Sequence, residues 1–565
     1  MPTLLQINSS ANASSHGKIA ESIGRLALEQ GWRSVIAYGR RVNPSQSELI
    51  RIGSDFALKE HGLETRLLDN HGLASRKATC DFLKEVDKIA PDLIHLHNIH
   101  GYYLNYRLLF EYLQTTNVPV VWTLHDCWTF TGHCAHFVTV GCEKWKTGCY
   151  DCPLKGDYPK SFVDRSERNY KLKKKLFTSI SNLHIVTVSD WLAGLVGQSF
   201  FRGKDIRVIK NGIDLNVFKP IKSNSQSTKY RILGVSGVWT KEKGLYDIFQ
   251  LREILDKERF DIILVGVNEK QVANLPEGII GIQRTESVEE LRNLYSSVDV
   301  LINPTYADTF PTVNLEALAC GTPVVTYRTG GSPEAINENT GIVVEKGDVN
   351  ALAEAIIKIS QKDHDKLLAD CRLRAEQEFD KNKRYKDYMD IYQEIRGGKF
   401  LILGVASVWS EDKGLLDYYK LGKMLKDDEL LVLVGVSKEM QEKLPAPIMG
   451  IPRTESLNEL VCWYNVADVV LSLSKAETFG ITIAEGMACG TPAIVYDNTA
   501  QPELITRETG FVAKNGDVEE IYDYIQKIKE KGRNYYFNAS LQHAREKFDS
   551  NIGLHEYIDL YNSIL

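Results

Sequence analysis

Short apolar runs alternate with longer amphipathic stretches through the first 220 residues. The apolar runs are rich in Leu and β-branched residues, which is typical of strands in a buried sheet. The stretches between them, such as 19–30 and 77–89, have the apolar spacing of helices. Alternation of this kind predicts a parallel sheet covered by helices on both faces. The predicted strands are 4–8, 34–38, 93–97, 118–124 and 184–188.

The same pattern restarts at Tyr230 and again at Lys399. The sequence WTKEKG at 239–244 is matched by WSEDKG at 409–414, and ACGTP ends at both 323 and 492. The offset falls from 170 residues (244 to 414) to 169 (323 to 492). A period this long indicates duplication of a whole domain, because solenoid repeats are far shorter. The predicted strands are 231–235, 261–265, 298–303 and 323–327 in the first copy, and 400–405, 430–434, 466–471 and 492–496 in the second.

These patterns predict three domains, at residues 1–220, 230–396 and 399–565. A length of 565 residues fits this number, at roughly 100–200 residues per domain. A polar linker at 223–229 and a short flexible join at 396–398 separate the domains. We expect α/β architecture throughout, with two Rossmann-like domains and a third that repeats the second.

Composition narrows the classes of function. The formal net charge of -6 argues against general nucleic-acid binding, which needs a basic surface. The N-terminus lacks a basic segment before its short apolar run, so it predicts a first strand and no signal peptide. No stretch approaches 18 uninterrupted apolar residues, and no membrane span is predicted. Ten cysteines without a secretory signal predict reduced thiols and a cytoplasmic location.

An acidic pair marks the start of one helix in the second domain. Asp308 lies in the loop after a predicted strand, and Glu316 lies about one turn inside the helix. Pro311 suits the first helical position. The free amides near Phe310 and Thr312 would bind a phosphate well, because they point out of the helix start. The spacing alone is more typical of a surface loop followed by a solvated glutamate.

Two further loops of this domain have chemistry compatible with phosphate. Lys243 places a cation at another strand-to-helix junction, although a lone lysine is more often solvated. A glycine-rich turn at 329–334 (TGGSPE) precedes another helix, and its alternative interpretation is a plain βα turn. Three such loops favour a nucleotide site at the carboxyl ends of the strands.

The first domain has polar residues where its predicted strands end. Gly17 lies between the first strand and a helix, where it would allow a ligand to approach the backbone; a tight turn is equally consistent. His97, His100 and the pair His125–Asp126 close two other strands, at the edge where such sheets bind ligands. A single histidine is more often structural than catalytic. Two histidine clusters at adjacent strand ends, however, make His125 a candidate catalytic residue.

Four cysteines within 19 residues of the first domain form a candidate zinc site. Only one pair has the short C-x2-C spacing, so reduced thiols that pack a loop are the alternative. The residues are Cys134, Cys142, Cys149 and Cys152.

The motifs of the second and third domains resemble the retaining glycosyltransferases of family 4. The fingerprint of that family is an acid, seven residues and a glutamate, followed by a turn of the ACGTP kind. The second domain carries it from Asp308, with Asp in place of the usual first Glu, and the third carries it from Glu477 in the usual form. Sequence 211–220 (NGIDLNVFKP) resembles the family's crossover between domains. One departure is 237–239 (GVW), where the family commonly has an arginine.

The resemblance implies a fold of the GT-B type and a donor that is a nucleoside-diphosphate sugar. Glu316 would bind the donor ribose, Asp308 would lie beside the sugar and diphosphate, and Lys243 would neutralise the diphosphate. His125 would approach the sugar, and Gly17 would face the cleft. No cofactor is required beyond the candidate zinc. The equivalents in the third domain are Lys413, Glu477 and Glu485.

The acceptor implied by the resemblance is a saccharide or a lipid-linked saccharide. Because acceptors of this family are often lipid-linked, the basic run at 171–175 (KLKKK) is a candidate for contact with anionic lipid at the inner face of the membrane. A solvated helix face is the ordinary alternative for such a run.

Three functions are compatible with these observations. The favoured one is transfer of a hexose to a saccharide with retention at the anomeric carbon. The alternatives are a nucleotide-sugar epimerase of the same fold and a nucleotide-sugar-binding regulatory protein.

The catalytic donor domain is expected to be the second, because it follows the first domain directly. Its aromatic tail at 379–392 resembles the terminal helix that folds back across the join in this family, and 548–561 repeats that tail. The reverse assignment stays open, because the third domain has the more usual pair Glu477 and Glu485.

Overall fold

The structure is a computed structural model that describes residues 2–116, 118–221, 228–395 and 399–550, with Ile552, Ile558 and Tyr561. The predicted linker at 223–229 lies largely outside the described residues, and the predicted join at 396–398 lies wholly outside them. Most of the predicted third-domain tail after residue 550, including Tyr557, is also outside them.

The described chain forms two compact units. The first comprises residues 1–28 and 32–392 and contains two sheets; the second comprises 29–31 and 393–565 and contains one. The sheets lie within the three ranges expected from the sequence, and the exact domain bounds stay a prediction. In the part of the chain that the structure describes, no helix has the length and apolarity needed to cross a bilayer.

The first domain is a seven-stranded parallel sheet with the order β3-β2-β1-β4-β5-β6-β7. Its central strands are fully buried, because helices cover both faces. The strands are β1 (Thr3–Asn8), β2 (Arg33–Tyr38), β3 (Glu48–Arg51), β4 (Leu93–Leu96), β5 (Val120–Leu124), β6 (Leu183–Thr187) and β7 (Ile206–Val208). The helices are α1 (Ser14–Glu29), α2 (Asp55–Leu68), α3 (Arg76–Ile89), α4 (Tyr106–Leu113), α5 (Ser166–Phe177) and α6 (Asp190–Val196).

The second domain is a six-stranded parallel sheet with the order β10-β9-β8-β11-β12-β13. Its strands are β8 (Tyr230–Val235), β9 (Phe260–Val265), β10 (Ile279–Ile282), β11 (Val300–Asn303), β12 (Val324–Tyr327) and β13 (Gly341–Val344). Its helices are α7 (Leu245–Ile254), α8 (Glu269–Val272), α9 (Val288–Ser297), α10 (Thr312–Ala319), α11 (Val349–Ser360), α12 (His364–Glu378) and α13 (Lys381–Ile395).

The third domain repeats this sheet with the order β16-β15-β14-β17-β18-β19. Its strands are β14 (Phe400–Val405), β15 (Glu429–Val434), β16 (Ile448–Ile451), β17 (Val469–Ser472), β18 (Ala493–Tyr496) and β19 (Gly510–Ala513). Its described helices are α14 (Leu415–Gly422), α15 (Lys438–Lys443), α16 (Leu457–Val466), α17 (Ile481–Ala488), α18 (Val518–Lys531) and α19 (Arg533–Lys547). The predicted α/β class with Rossmann-like sheets is confirmed.

Helix α13 folds back onto the first domain, as the resemblance of its tail to the family's terminal helix implied. Tyr388 accepts a hydrogen bond from Thr123 of β5, and Tyr392 pairs with a ring nitrogen of His95 in β4. Both tyrosines are buried, so the helix contributes to the core beneath the first sheet.

The crossover between the two domains is held against the start of α13. The amide of Ile213 donates to the carbonyl of Phe379, and the amide of Lys381 donates back to Ile213. A Cβ atom added to Gly212 would lie 2.4 Å from the Cα of Lys381, so only glycine allows this approach. Asp214 and Lys381 form an ion pair of 2.5 Å beside it.

The substitution Gly212→Ala should therefore destabilise the first unit by roughly 1–3 kcal/mol, as overpacking does in a tight contact. The matched control is Gly62→Ala in α2, where an added Cβ has no neighbour within 4 Å. That control should stabilise the helix by roughly 0.5–1 kcal/mol. Thermal unfolding of both variants checks the prediction, and equal melting temperatures for the two would remove the tight-contact argument.

Candidate functional site

A cleft of about 940 Å³ lies between the first and second domains. The first domain contributes residues that follow β5, β6 and β7 and the start of α1; the second contributes residues that follow β8 and β11 and the start of α10. The cleft therefore lies at the carboxyl ends of the strands of both sheets, where such folds bind their ligands.

An ion pair forms the second-domain wall of the cleft. The Nζ atom of Lys243 lies 2.9 Å from Oδ2 of Asp308, and both side chains remain partly exposed. The sequence analysis assigned both residues to one site. The structure brings them into contact, although they are far apart along the chain. A cation held here by one carboxylate can also bind a diphosphate, because it has further donors.

The start of α10 faces the same cleft. Phe310, Pro311 and Thr312 all line it, as the sequence predicted. Pro311 is the N-cap residue and Thr312 the first helical one, so the helix begins one residue later than predicted. The open N-terminus of α10 gives this wall a partial positive charge, which suits an anion.

The turn at 329–334 packs tightly beneath this helix start. A Cβ added to Gly330, which has a φ of +56°, would lie 1.7 Å from the carbonyl oxygen of Asp308. Ser332 on the same turn accepts a hydrogen bond from Asn314 of α10 at 2.9 Å. The turn thus fixes both Asp308 and the first turn of α10.

Glu316 lies inside α10, where its carboxylate accepts a 2.7 Å hydrogen bond from the hydroxyl of Tyr295 in α9. Burial raises the pKa of Glu316 to about 7, against the opposing effects of Tyr295 and of Lys18 from α1. The carboxylate is therefore ionised only partly near neutral pH. A ligand that donates hydrogen bonds to it would favour the ionised form.

His125 forms the first-domain wall opposite α10. Its Nε2 atom lies 3.3 Å from Nδ1 of His97, and its ring lies 6.0 Å from that of His16. Burial, with the neighbouring histidines, holds the pKa of His125 well below its usual range. The imidazole is therefore neutral and can donate or accept one hydrogen bond at each nitrogen.

The neighbouring residue Asp126 forms a separate pair with His100. Its Oδ2 atom lies 2.9 Å from Nε2 of His100, and Oδ1 accepts the backbone amide of Trp128. Burial opposes ionisation, but the attraction of His100 outweighs it and lowers the pKa of Asp126. The pair fixes the loop that follows β5, directly after His125.

Gly17 does not occupy the place expected for it. It lies within α1 and is buried, and an added Cβ would meet the hydroxyl of Ser10 at 2.7 Å. The residues of α1 that line the cleft are Ser15 and Ile19. The glycine allows α1 to pack against the loop after β1; it does not face the cleft.

The two domains are joined around the cleft by hydrogen bonds. Thr309 donates to the carbonyl of His125 at 2.7 Å, and Asn211 donates to the carbonyl of Phe310 at 3.3 Å. The carboxylate of Glu334 accepts the amides of Asp190 and Trp191 at the start of α6, at 2.9 and 2.7 Å. The second domain is thus the one that forms the cleft with the first.

The four cysteines lie together around a cavity of about 330 Å³. All ten cysteines of the chain have free thiols, and Cys134 is hydrogen-bonded to Cys152. Across the described ranges, however, no three His, Cys, Asp or Glu side chains are grouped as metal ligands. The zinc hypothesis stays a prediction: about one zinc per chain in the purified protein would support it, and folded metal-free protein would remove it.

The basic run at 171–175 is not a uniform solvated face. Lys173 is fully buried; it donates to the carbonyls of Trp128 and Thr131 and lies 3.4 Å from the centre of the Trp128 ring. Burial lowers its pKa to about 7. Lys171, Lys174 and Lys175 are exposed, so only these three can meet an anionic surface.

The third domain contains the equivalents of the second-domain residues in the same arrangement. Lys413 and Glu477 form an ion pair of 2.6 Å, and Glu485 accepts a 2.8 Å hydrogen bond from Tyr464. Tyr295 and Tyr464 were not singled out from the sequence. The domain repeat could have identified them, because the two tyrosines are 169 residues apart, the same offset as Glu316 and Glu485.

Profiles of known families match three segments of the chain. Glycosyltransferase Family 4 matches residues 20–217, and two profiles described as Glycosyl transferases group 1 match residues 229–362 and 393–547. The group 1 matches together span more than half of the chain. The chain therefore consists of glycosyltransferase domains, one that matches Family 4 followed by two that match group 1.

Individual relatives are distant. A protein from Escherichia coli strain K12 named as a colanic acid biosynthesis glycosyl transferase, WcaC, is 24% identical over 319 residues, which are 54% of this chain and 77% of that protein. The D-inositol 3-phosphate glycosyltransferase of Corynebacterium jeikeium strain K411 is 25% identical over 365 residues, 59% of this chain and 80% of the relative.

The fold is shared with a solved structure. Sucrose-phosphate synthase from Thermosynechococcus elongatus superposes with a TM-score of 0.54 at 18% identity, covering 70% of this chain and 99% of the synthase. At this identity the likeness concerns the fold, and it confirms the GT-B type expected from the sequence.

The position of Glu316 leads to a prediction about donor binding. At a pH of about 8, Glu316→Gln should weaken binding of the nucleotide-sugar donor about ten- to a hundredfold, because a hydrogen bond to a charged group is lost. As the pH falls through about 7, the wild-type carboxylate becomes protonated and the two dissociation constants should converge. Calorimetry at a pH of about 8 and about 6 measures this, with the exposed Glu338→Gln as control. A donor dissociation constant unchanged at the higher pH would remove Glu316 from the site.

Proposed function

We propose that the chain transfers a hexose from a nucleoside-diphosphate sugar to a saccharide or lipid-linked saccharide acceptor, with retention at the anomeric carbon. The observation that carries this proposal is the cleft itself. It combines a cation, an open helix N-terminus and the carboxylate of Asp308 on the donor side with a neutral histidine on the opposite side, and Glu316 lies further along the same helix.

The donor side of the cleft suits a nucleoside diphosphate. Lys243 and the start of α10 would bind the diphosphate, since both carry positive charge where phosphate oxygens would lie. Glu316 would accept hydrogen bonds from the ribose hydroxyls. Asp308, held by Lys243 and by the turn at 329–334, would bind the donor sugar.

The reaction breaks the bond between the anomeric carbon and the diphosphate oxygen and forms one to an acceptor hydroxyl on the same face. The departing diphosphate gains negative charge, which Lys243 and the α10 amides stabilise more in the transition state than in the ground state. The acceptor proton passes to the leaving phosphate oxygen, so the enzyme needs no nucleophile. His125, being neutral, would orient a sugar hydroxyl by a hydrogen bond.

A role in polysaccharide biosynthesis is supported by the name of the Escherichia coli relative, which refers to colanic acid. We place the reaction in the cytoplasm, where nucleotide sugars are made available to such enzymes. Contact with anionic lipid is part of the same proposal, and it rests on the three exposed lysines of α5.

The test of the proposed reaction begins with the donor. UDP-, GDP-, ADP- and dTDP-hexoses should be ranked by the increase in melting temperature they cause, because a ligand of the native state stabilises it. With the best donor and oligosaccharide acceptors, we expect a product with the anomeric configuration of the donor, measured by NMR. An epimerised nucleotide sugar from donor alone would instead establish an epimerase. Nucleotide binding with no transfer to any acceptor would favour the regulatory alternative.

The second domain should be the catalytic one, because its Thr309 and Glu334 contact the first domain around the cleft. The double substitution Asp308→Asn/Glu316→Gln should lower kcat/KM by about a hundredfold or more. The matched pair Glu477→Gln/Glu485→Gln should cause a far smaller loss. Turnover of the two variants side by side measures this. If the third-domain pair proves the essential one, catalysis belongs to the other copy.

A further inference from the structure

The third domain contains a cavity of about 650 Å³ at the carboxyl ends of β14 and β17. Every residue that the second domain contributes to the catalytic cleft has its counterpart, position for position, in the wall of this cavity. The match extends beyond the motifs: Val405, Trp409 and Ser472 stand where the second domain has Val235, Trp239 and Asn303.

The polar chemistry of the cavity is also retained. Lys413 lies in its wall and is held by Glu477, as Lys243 is held by Asp308. The start of α17 opens into the cavity at Gly480, which has a φ of +97°. Glu485 is fixed by Tyr464 one turn further along the same helix. A cation, a helix start and a fixed carboxylate suit the diphosphate and ribose of a nucleotide.

The third domain differs in the turn with which the second contacts the first. Thr499 and Ala500 stand where the second domain has Gly330 and Gly331. An added Cβ at Gly331 would lie 2.7 Å from the Cβ of Ser189 in the first domain, so a side chain there opposes the contact. Ala500 carries such a methyl group.

The polar groups of this turn bind the third domain itself. Asn498 and Gln501 both donate to the carbonyl of Ser474, and the amide of Glu477 donates to Thr499. Glu503, the counterpart of Glu334, is exposed, and Phe479 is 42% exposed where Phe310 is 3% exposed. The nucleotide-side positions are therefore retained. The turn for contact with an acceptor domain has lost its two glycines, although Glu503 keeps the carboxylate of Glu334.

We propose that the third domain binds a nucleoside diphosphate, free or as a nucleotide sugar, at a second site that does not carry out transfer. The class of ligand rests on the proposed function of the second domain. The site gives the enzyme a means to respond to the concentration of its donor or of the nucleotide it releases.

The experiment counts nucleotides bound to the full chain by equilibrium dialysis with radiolabelled UDP, GDP, CDP and ADP. Two variants are compared, and each disables one of the two sites. The substitutions in the two variants are at equivalent positions of the repeat. Gly237→Glu/Lys243→Ala changes the catalytic cleft, and Ser407→Glu/Lys413→Ala changes the third-domain cavity. Gly237 and Ser407 are both exposed, and a Cβ at Gly237 has no neighbour within 4 Å, so neither glutamate should disturb folding.

We expect the unaltered chain to bind about two nucleotides and each variant about one. Adding the cavity changes to the cleft variant should weaken the remaining binding by at least about a hundredfold. Failure of the cleft variant to bind any of the four nucleotides would overturn the inference, and so would unchanged binding when the cavity changes are added to it. If the cavity variant abolishes transfer and the cleft variant does not, the catalytic assignment fails instead. The two failures are therefore distinguishable.

Discussion

The carboxylate of Glu334 accepts two backbone amides at the start of α6, and the geometry of the cleft depends on this contact. The helix start carries partial positive charge, so it attracts a carboxylate as well as satisfying its own free donors. The same turn includes Gly330 and Gly331, whose missing side chains let it touch Asp308 and the first domain at once. One short turn thus sets both the spacing of the two domains and the position of the acid in the site.

The sheets were predictable from sequence in their centres and not at their edges. All the strands that the apolar pattern predicted are found, and the six it missed are the two edge strands of each sheet: β3, β7, β10, β13, β16 and β19. Central strands are buried on both faces and therefore read as continuous apolar runs. The edge strand Glu48–Arg51 is largely exposed and has polar residues at both ends, which interrupt the apolar pattern. The other edge strands are only three or four residues long.

The sequence predicted those site residues that belong to a short motif. Lys243, Asp308 and the start of α10 meet in one cleft as the motifs indicated. The role of Gly17 could not be read in the same way, because a glycine at a helix start serves packing as well as ligand approach. Tyr295 and Glu334 act across elements distant in sequence, and only the fold brings them to their partners.

Duplication of the donor domain separates two requirements that one domain normally meets together. Binding a nucleotide needs the strand ends, the lysine and the helix start, and both copies have them. Transfer also needs contact with an acceptor domain. The carboxylate for it is present in both copies, as Glu334 and Glu503, but only the second copy has the glycine pair.

The central claim is that the first two domains form a complete transferase cleft. The most direct measurement is the turnover of a shortened chain that ends at residue 395, which keeps α13 and its contacts with β4 and β5. This shortened chain should fold and transfer sugar from the donor that the full chain uses. A shortened chain that is folded and binds the donor, but transfers no sugar while the full chain does, would contradict it.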